Sequence, residues 1–176
     1  RVGDQSAKLA LLLRKNFHSQ RRAVHAFSVY NSRAVTYQVT RKANVLGLLD
    51  GFYDLAEVRR RYPGGLSPRD VAWMWRRTLV AIDLAHKAGV VHGAVIPEHV
   101  MILPGDHGVV LTDWCYAVQT PGHRIRAIVP NRARWYPPEV AAKEDATPAL
   151  DIYMASKTMD FLFGSGLTGL KPLRTF

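Results

Sequence analysis

The stretch that most restricts how this chain can fold runs from Val90 to Val118. Two short β-rich runs, Val100–Leu103 and Val109–Thr112, flank five residues that include Pro104, Gly105 and Gly108. Turn-forming residues between two runs of branched apolar side chains are hairpin chemistry, because glycine and proline reverse the chain where β-branched residues cannot. A polar loop starting at His92 enters the hairpin, and an acidic residue, Asp113, leaves it. Both therefore lie at one end of a rigid ladder, a place where binding and catalytic groups commonly sit.

The flanking segments supply helices. Ser67-Pro68-Arg69-Asp70 is a helix start: a hydroxyl to cap, proline at the first helical position and an acid in the first turn. The spacing predicts a helix to about Lys87, with Val71, Trp75, Leu79, Ile82 and His86 on one stripe and Gly89 as its stop. A shorter helix is expected between Gly51 and Tyr62, ended by Pro63-Gly64-Gly65, and another at Ala7–Lys15. Two β-prone runs, around Ala26–Tyr30 and Ala34–Val39, are separated by Asn31-Ser32-Arg33 and read as a second hairpin. Residues 119–134 are basic, contain Pro121, Gly122 and Pro130 and show no period, so a loop is expected there. An apolar helix begins near Asp151 and runs to Phe163, with Gly164 after it.

His92-Gly93-Ala94-Val95-Ile96-Pro97-Glu98-His99, then the hairpin, then Asp113-Trp114-Cys115, resembles the catalytic and metal-binding loops of the protein-kinase-like fold. The family pattern is H-R-D-L-x-x-x-N followed by D-F-G. Trp135-Tyr136-Pro137-Pro138-Glu139-Val140 resembles the A-P-E end of a kinase activation segment, and Asp151-Ile152-Tyr153-Met154-Ala155 resembles the start of the family's central helix. The resemblance covers roughly Leu48 to Gly166 and points to bacterial Ser/Thr-kinase-like proteins. It implies an α+β fold: a mainly helical large lobe over residues 50–176, truncated at its end, after a reduced or partial β-containing small lobe over residues 1–49.

The resemblance also assigns roles. Ala94 stands where the catalytic Asp would be, and His99 where the metal-binding Asn would be; these are the degenerate positions. Asp113 is kept and would hold a vestigial metal ion or brace the loop, a reading placed slightly ahead of a helix or turn cap, where Asp is also common. His92 would brace the loop, Asp151 would accept backbone hydrogen bonds from it, and Glu139 would anchor the activation segment by pairing with a late arginine such as Arg174. Alanine offers no acceptor for a substrate proton, and losing a general base typically costs ~10²–10⁴-fold in rate. Imidazole is a poor substitute for the hard oxygen ligands that Mg²⁺ prefers. Before the hinge there is no G-x-G-x-x-G, since Gly3 is the only glycine before Gly47, and Asp4 is the only carboxylate before Asp50. Lys8, Lys15 and Lys42 do not sit in a kinase-like strand pattern. His86, His107 and His123 read as surface or turn residues, Trp73 and Trp75 as core, and Cys115 as a small packed residue.

Charge is brought in by the partner question. The chain has 24 Lys+Arg against 14 Asp+Glu, a formal charge of +10. Clusters such as Arg59-Arg60-Arg61, Arg76-Arg77 and Arg124 to Arg134 admit a nucleic-acid partner. They are scattered and carry no aromatic–basic RNA-binding signature, so solvated helix faces and loops are the favoured reading, with an acidic protein or a membrane surface also suited. No run approaches the ~18–20 apolar residues of a membrane span. The chain starts at Arg1 without a signal layout and is expected to be a piece of a longer protein. A single cysteine fits a reducing compartment, so a cytoplasmic setting is expected. The combined expectation is not an enzyme but a pseudokinase: a binding, scaffold or regulatory module with a protein partner and no cofactor, ATP or Mg²⁺ having only Asp113 to hold it. The rivals are an atypical nucleotide- and metal-dependent phosphotransferase using Asp113, and a basic nucleic-acid-binding module.

Overall fold

A computed structural model describes residues 51–165 and, before them, the backbone of three short strands: β1 (Phe27–Ser28), β2 (Thr36–Gln38) and β3 (Ala43–Val45). The Ala7–Lys15 helix lies outside the described residues, as do Lys8, Lys15, Lys42 and Arg174. Strand β4 (Tyr53–Asp54) leads directly into α1 (Leu55–Arg61). Helix α2 (Pro68–Lys87) then feeds β5 (Val90–Val91), and the hairpin is β6 (Val100–Leu103) and β7 (Gly108–Leu111). After β8 (Val118–Gln119) come a 3-10 turn at Pro130–Trp135, the short α3 (Pro138–Ala141) and α4 (Pro148–Phe163). The architecture is α+β with small antiparallel sheets.

The hairpin forms where turn chemistry placed it, with Val100 opposite Leu111 and Leu103 opposite Gly108. The strands order as β1-β7-β6-β4, antiparallel throughout. Strand β6 alternates, burying Val100 and Ile102, whereas all four residues of β7 are buried. That difference follows from position: both strands have a neighbour on each side, but helix α2 packs against β7.

Helix α2 begins as its sequence dictates. Ser67 Oγ accepts from the Asp70 N–H at 3.2 Å and donates its own proton to the Asp70 carboxylate at 2.7 Å. The helix stops at Ala88, and Gly89 takes φ +72°, which a side chain would resist. The buried stripe keeps Val71 and Ile82 of the expected one, with Leu79 packed against the core, but not Trp75. Val71, Met74, Thr78, Ala81, Ile82 and Ala85 face inward, while Trp75 is exposed. Trp75 is one position away on the helix from Met74, and α4 with β7 takes the Met74 side. Trp73, half-buried, packs against the core and stacks on His107 of the hairpin turn with ring centroids 4.5 Å apart. On α4, Leu150, Met154, Ala155, Met159 and Leu162 recur at helical spacing and pack on α2. Among the described residues no helix is long and apolar enough to cross a membrane.

Three further expectations need correction. The two β-prone runs before residue 40 do not pair with each other among the described residues: Phe27 lies opposite Leu111, and Thr36–Gln38 pairs with Ala43–Val45. Strand partners are chosen by available edges, and the β7 edge is open to β1. Tyr53–Asp54, within the stretch expected to hold the shorter helix, is a strand that pairs with β6. Within the expected 119–134 loop, Pro130–Trp135 forms a 3-10 turn.

Replacing Ser67 by Ala should destabilise the protein by about 1 kcal/mol, because the Asp70 N–H loses its acceptor. Urea denaturation measures this, and a change of a few tenths or less would show that the cap does not act as the geometry says.

Candidate functional site

Pairing of β5 with β8 brings the two ends of the motif together. Val90 lies opposite Gln119 and Val91 opposite Val118, and three of these four are buried valines. The His92 loop and the Asp113 segment are thereby held side by side.

The loop is anchored from below by Asp151 on α4, which is wholly buried. One carboxylate oxygen accepts from the His92 N–H at 2.7 Å, the other from the Gly93 N–H at 2.8 Å. His86, at the end of α2, places Nε2 2.9 Å from the same carboxylate. His86 is therefore not a surface residue, as its spacing had suggested; its side chain is 12% exposed and belongs to this network. The signal that would have found it is its place on the inner side of the last turn of α2, next to Ala85.

His92 is buried and neutral. Nε2–H donates to the Thr112 carbonyl at 2.9 Å, and Nδ1 accepts from the Ala94 N–H at 3.2 Å. With both nitrogens committed, a second proton would confront an N–H. Burial pushes the imidazole pKa down to about 4, against the opposing pull of the Asp151 carboxylate. Its ring packs edge-on against Trp114, whose indole N–H donates to the Leu111 carbonyl at 2.9 Å.

Gly93 has φ +76°, and a Cβ there would sit 2.8 Å from the Tyr116 carbonyl oxygen and 2.7 Å from Ile125 Cδ1. No side chain fits. Ala94 is fully buried, and its carbonyl accepts from the Ile96 N–H and from His99 Nδ1, each at 2.9 Å. His99 thus has its Nδ1 proton tied to the loop, its ring stacked on Tyr116 at 5.8 Å and its Nε2 3.9 Å from Asp113.

Asp113 adopts left-handed backbone, φ 59° and ψ 44°, with its side chain about half exposed. It accepts from Thr112 Oγ1 at 3.0 Å and makes no capping hydrogen bond to the 3-10 turn Trp114–Tyr116 that follows. The turn-cap reading therefore does not describe it. Asp113 and His99 together offer one carboxylate and one imidazole. Among the described residues no three His, Cys, Asp or Glu side chains are grouped to hold a metal ion. Of the two, Asp113 is the hard oxygen donor that Mg²⁺ prefers, and the imidazole is the poorer ligand. Cys115 is exposed rather than packed, and burial of its sulfur followed by the nearby Asp113 charge raises its thiol pKa. Glu139 is exposed on α3, and its expected partner Arg174 lies outside the described residues.

Sequence reasoning missed the pair Glu98–Arg132. Arg132 Nε donates to Glu98 Oε1 at 3.1 Å and a second guanidinium nitrogen reaches the same oxygen. The guanidinium lies over the rings of Trp135, at 4.8 Å, and Phe161, at 5.7 Å. Burial would raise the Glu98 carboxyl, but the hydrogen bond and charge of Arg132 hold it below the usual range. The pair ties the 3-10 turn at Pro130–Trp135 to the His92 loop; separated by 34 residues, it leaves no local sequence signal.

No family model matches the chain. A stretch of 92 residues is 36% identical to the serine/threonine-protein kinase PknA of Mycobacterium tuberculosis strain H37Rv, covering 51% of this chain and 21% of that kinase. A stretch of 100 residues is 28% identical to casein kinase II subunit alpha' of Saccharomyces cerevisiae, covering 49% of this chain and 29% of that protein. The similarity to protein kinases thus extends over about half of the chain. The matched stretches span less than a third of these relatives' own length. The α+β structure, with its small antiparallel sheets, is compatible with a piece of a kinase-like fold.

Gly93→Arg, which restores the arginine of the kinase pattern, should destabilise the fold by about 2 kcal/mol or more, since positive φ alone costs about 1–2 kcal/mol for a side chain. Gly93→Ala should already show much of this loss in urea denaturation; equal stability would refute the crowding. A second outcome concerns pH. Below its ordinary pKa of about 6.5, His92 takes up a proton in the unfolded chain and refuses it in the folded one until about pH 4. The stability it contributes is present above pH 6.5 and lost as the pH falls to 4, about 3 kcal/mol in all. Denaturation curves across that window should fall more steeply for the parent than for His92→Gln; equal slopes would mean that His92 is not held neutral.

Proposed function

We propose that the chain is a catalytically inactive protein-kinase-like module, a pseudokinase, that acts by binding a protein partner. The observation that carries this reading is Ala94. The resemblance puts a carboxylate at this position to receive the proton of the attacking hydroxyl, and here a fully buried methyl group stands instead. Phosphoryl transfer depends on positioning and charge neutralisation around the transferred group, and His99 spends its Nδ1 proton holding the loop together. The scaffold beneath is intact: the Asp151, His92 and Thr112 bonds keep the loop rigid without a reactive group to present. A rigid, chemically quiet loop suits a recognition role.

Asp113 is the one carboxylate on the exposed side of this loop pair. In an assay with labelled ATP and Mg²⁺ or Mn²⁺, the parent chain should transfer no phosphate to itself or to casein. Ala94→Asp should stay equally inactive, because an imidazole still occupies the position where an oxygen ligand is needed. Transfer by the parent that disappears in Asp113→Asn would overturn this reading in favour of an atypical phosphotransferase.

A further inference from the structure

Beside the His92 loop lies a cavity of about 510 Å³ whose charged lining is all of one sign, Arg124, Arg126 and Lys143, with His123 next to them. Neither Glu144 nor Asp145, the carboxylates next in sequence to Lys143, lines it. Among the described residues Arg124, Arg126 and Lys143 have no carboxylate partner, unlike Arg132, which is paired with Glu98, and Lys87, which is paired with Asp83.

The cavity is built from two segments that the backbone fixes together. The Ala146 N–H donates to the His123 carbonyl at 2.8 Å, and Thr120 Oγ1 donates to the Ala146 carbonyl at 3.0 Å. Lys143 sits on left-handed backbone at φ 60°, with its N–H bonded to the Val140 carbonyl. Ile125 turns inward, its Cδ1 filling the space above Gly93, while its neighbours Arg124 and Arg126 remain exposed. The inward isoleucine thus anchors the segment that carries both arginines, and the bonds at residue 146 hold the Lys143 segment beside it, so that all three line one cavity.

The geometry points to a binding site for a phosphate monoester carried on a protein side chain, a phosphoserine or phosphothreonine. Two guanidinium groups and an ammonium around one small cavity match a compact dianion with several acceptor oxygens. A nucleic acid strand fits less well, since backbone tracking requires a run of cations along many phosphates. Among the described residues the clusters Arg59-Arg60-Arg61 and Arg76-Arg77 lie on α1 and α2, outside this cavity. The inference gives the binding-module reading its ligand chemistry and rests on it only in that the phosphate is bound and not transferred.

The test is fluorescence anisotropy with the whole chain, without nucleotide, using a labelled neutral heptapeptide bearing one phosphoserine and the same peptide unphosphorylated. The phosphorylated form should bind roughly tenfold tighter or more, inorganic phosphate should compete, and Arg124→Ala/Arg126→Ala/Lys143→Ala should erase the difference. Arg76→Ala/Arg77→Ala, on α2, should leave it unchanged. The single exposed change Arg126→Glu, read alongside thermal melting, guards against loss by unfolding. Equal binding of the two peptides, or a difference that survives the triple substitution, would overturn the proposal. So would binding of a single-stranded oligonucleotide that outcompetes the phosphopeptide and falls steeply with salt. Because no nucleotide is present, failure here leaves the phosphotransfer result untouched, and the converse holds.

Discussion

A single buried carboxylate holds the functional end of this molecule together. Asp151 has no exposure, so its charge has lost water and must be stabilised by donors. Two backbone N–H groups of the His92 loop and the His86 imidazole provide them, each within 2.9 Å. Three elements meet there: α4 supplies the acid, α2 the histidine, and the loop its backbone. A buried charge without such partners would be costly by several kcal/mol, so the loop conformation and the carboxylate require each other. Position 93 shows how tight the arrangement is, since the Tyr116 carbonyl and Ile125 leave no room for a Cβ.

From that anchor the hydrogen bonds run upward through His92 to the Thr112 carbonyl and through Ala94 to His99. The His92, Gly93, Ala94 and His99 groups are spent on Asp151, on the loop itself or on the segment beside it, whereas Glu98 Oε2 is buried with no hydrogen-bond partner among the described residues. What reaches the exposed side is Asp113, together with the edge of the His99 and Tyr116 stack. The loop is therefore rigid for structural reasons that do not depend on any reaction. None of these bonds uses the Ala94 side chain, so the skeleton does not depend on what stands there.

The basic segment that follows β8 is held against the same loop by apolar contact and by ion pairing. Ile125 covers Gly93, and Arg132 lies over Trp135 and Phe161 while pairing with Glu98. Of the cations in this part of the chain, one is consumed in holding the fold and others are left facing a cavity. Net charge alone could not tell these two uses apart; the distinction is in which guanidinium finds a carboxylate.

Local signals were enough for much of this. Ser67, Pro68 and Asp70 define a helix start whatever surrounds them, because the cap is made within four residues. Pro104 to Gly108 define the hairpin turn, and the order His92, Ala94, His99, Asp113 carries the resemblance to the kinase loops without any coordinates. The sequence alone could not say that Phe27 would pair with Leu111, that Trp75 would be exposed while Met74 is buried, or that Cys115 would face outward. Nor could it show that His86 would meet Asp151 across 65 residues, or Arg132 meet Glu98 across 34. Caps, turns and motif chemistry are fixed by neighbours along the chain, whose distances covalent geometry already sets. Strand partners, the buried side of a helix and long-range charge pairs are decided only when separate elements compete for the same core, and that competition is settled in three dimensions.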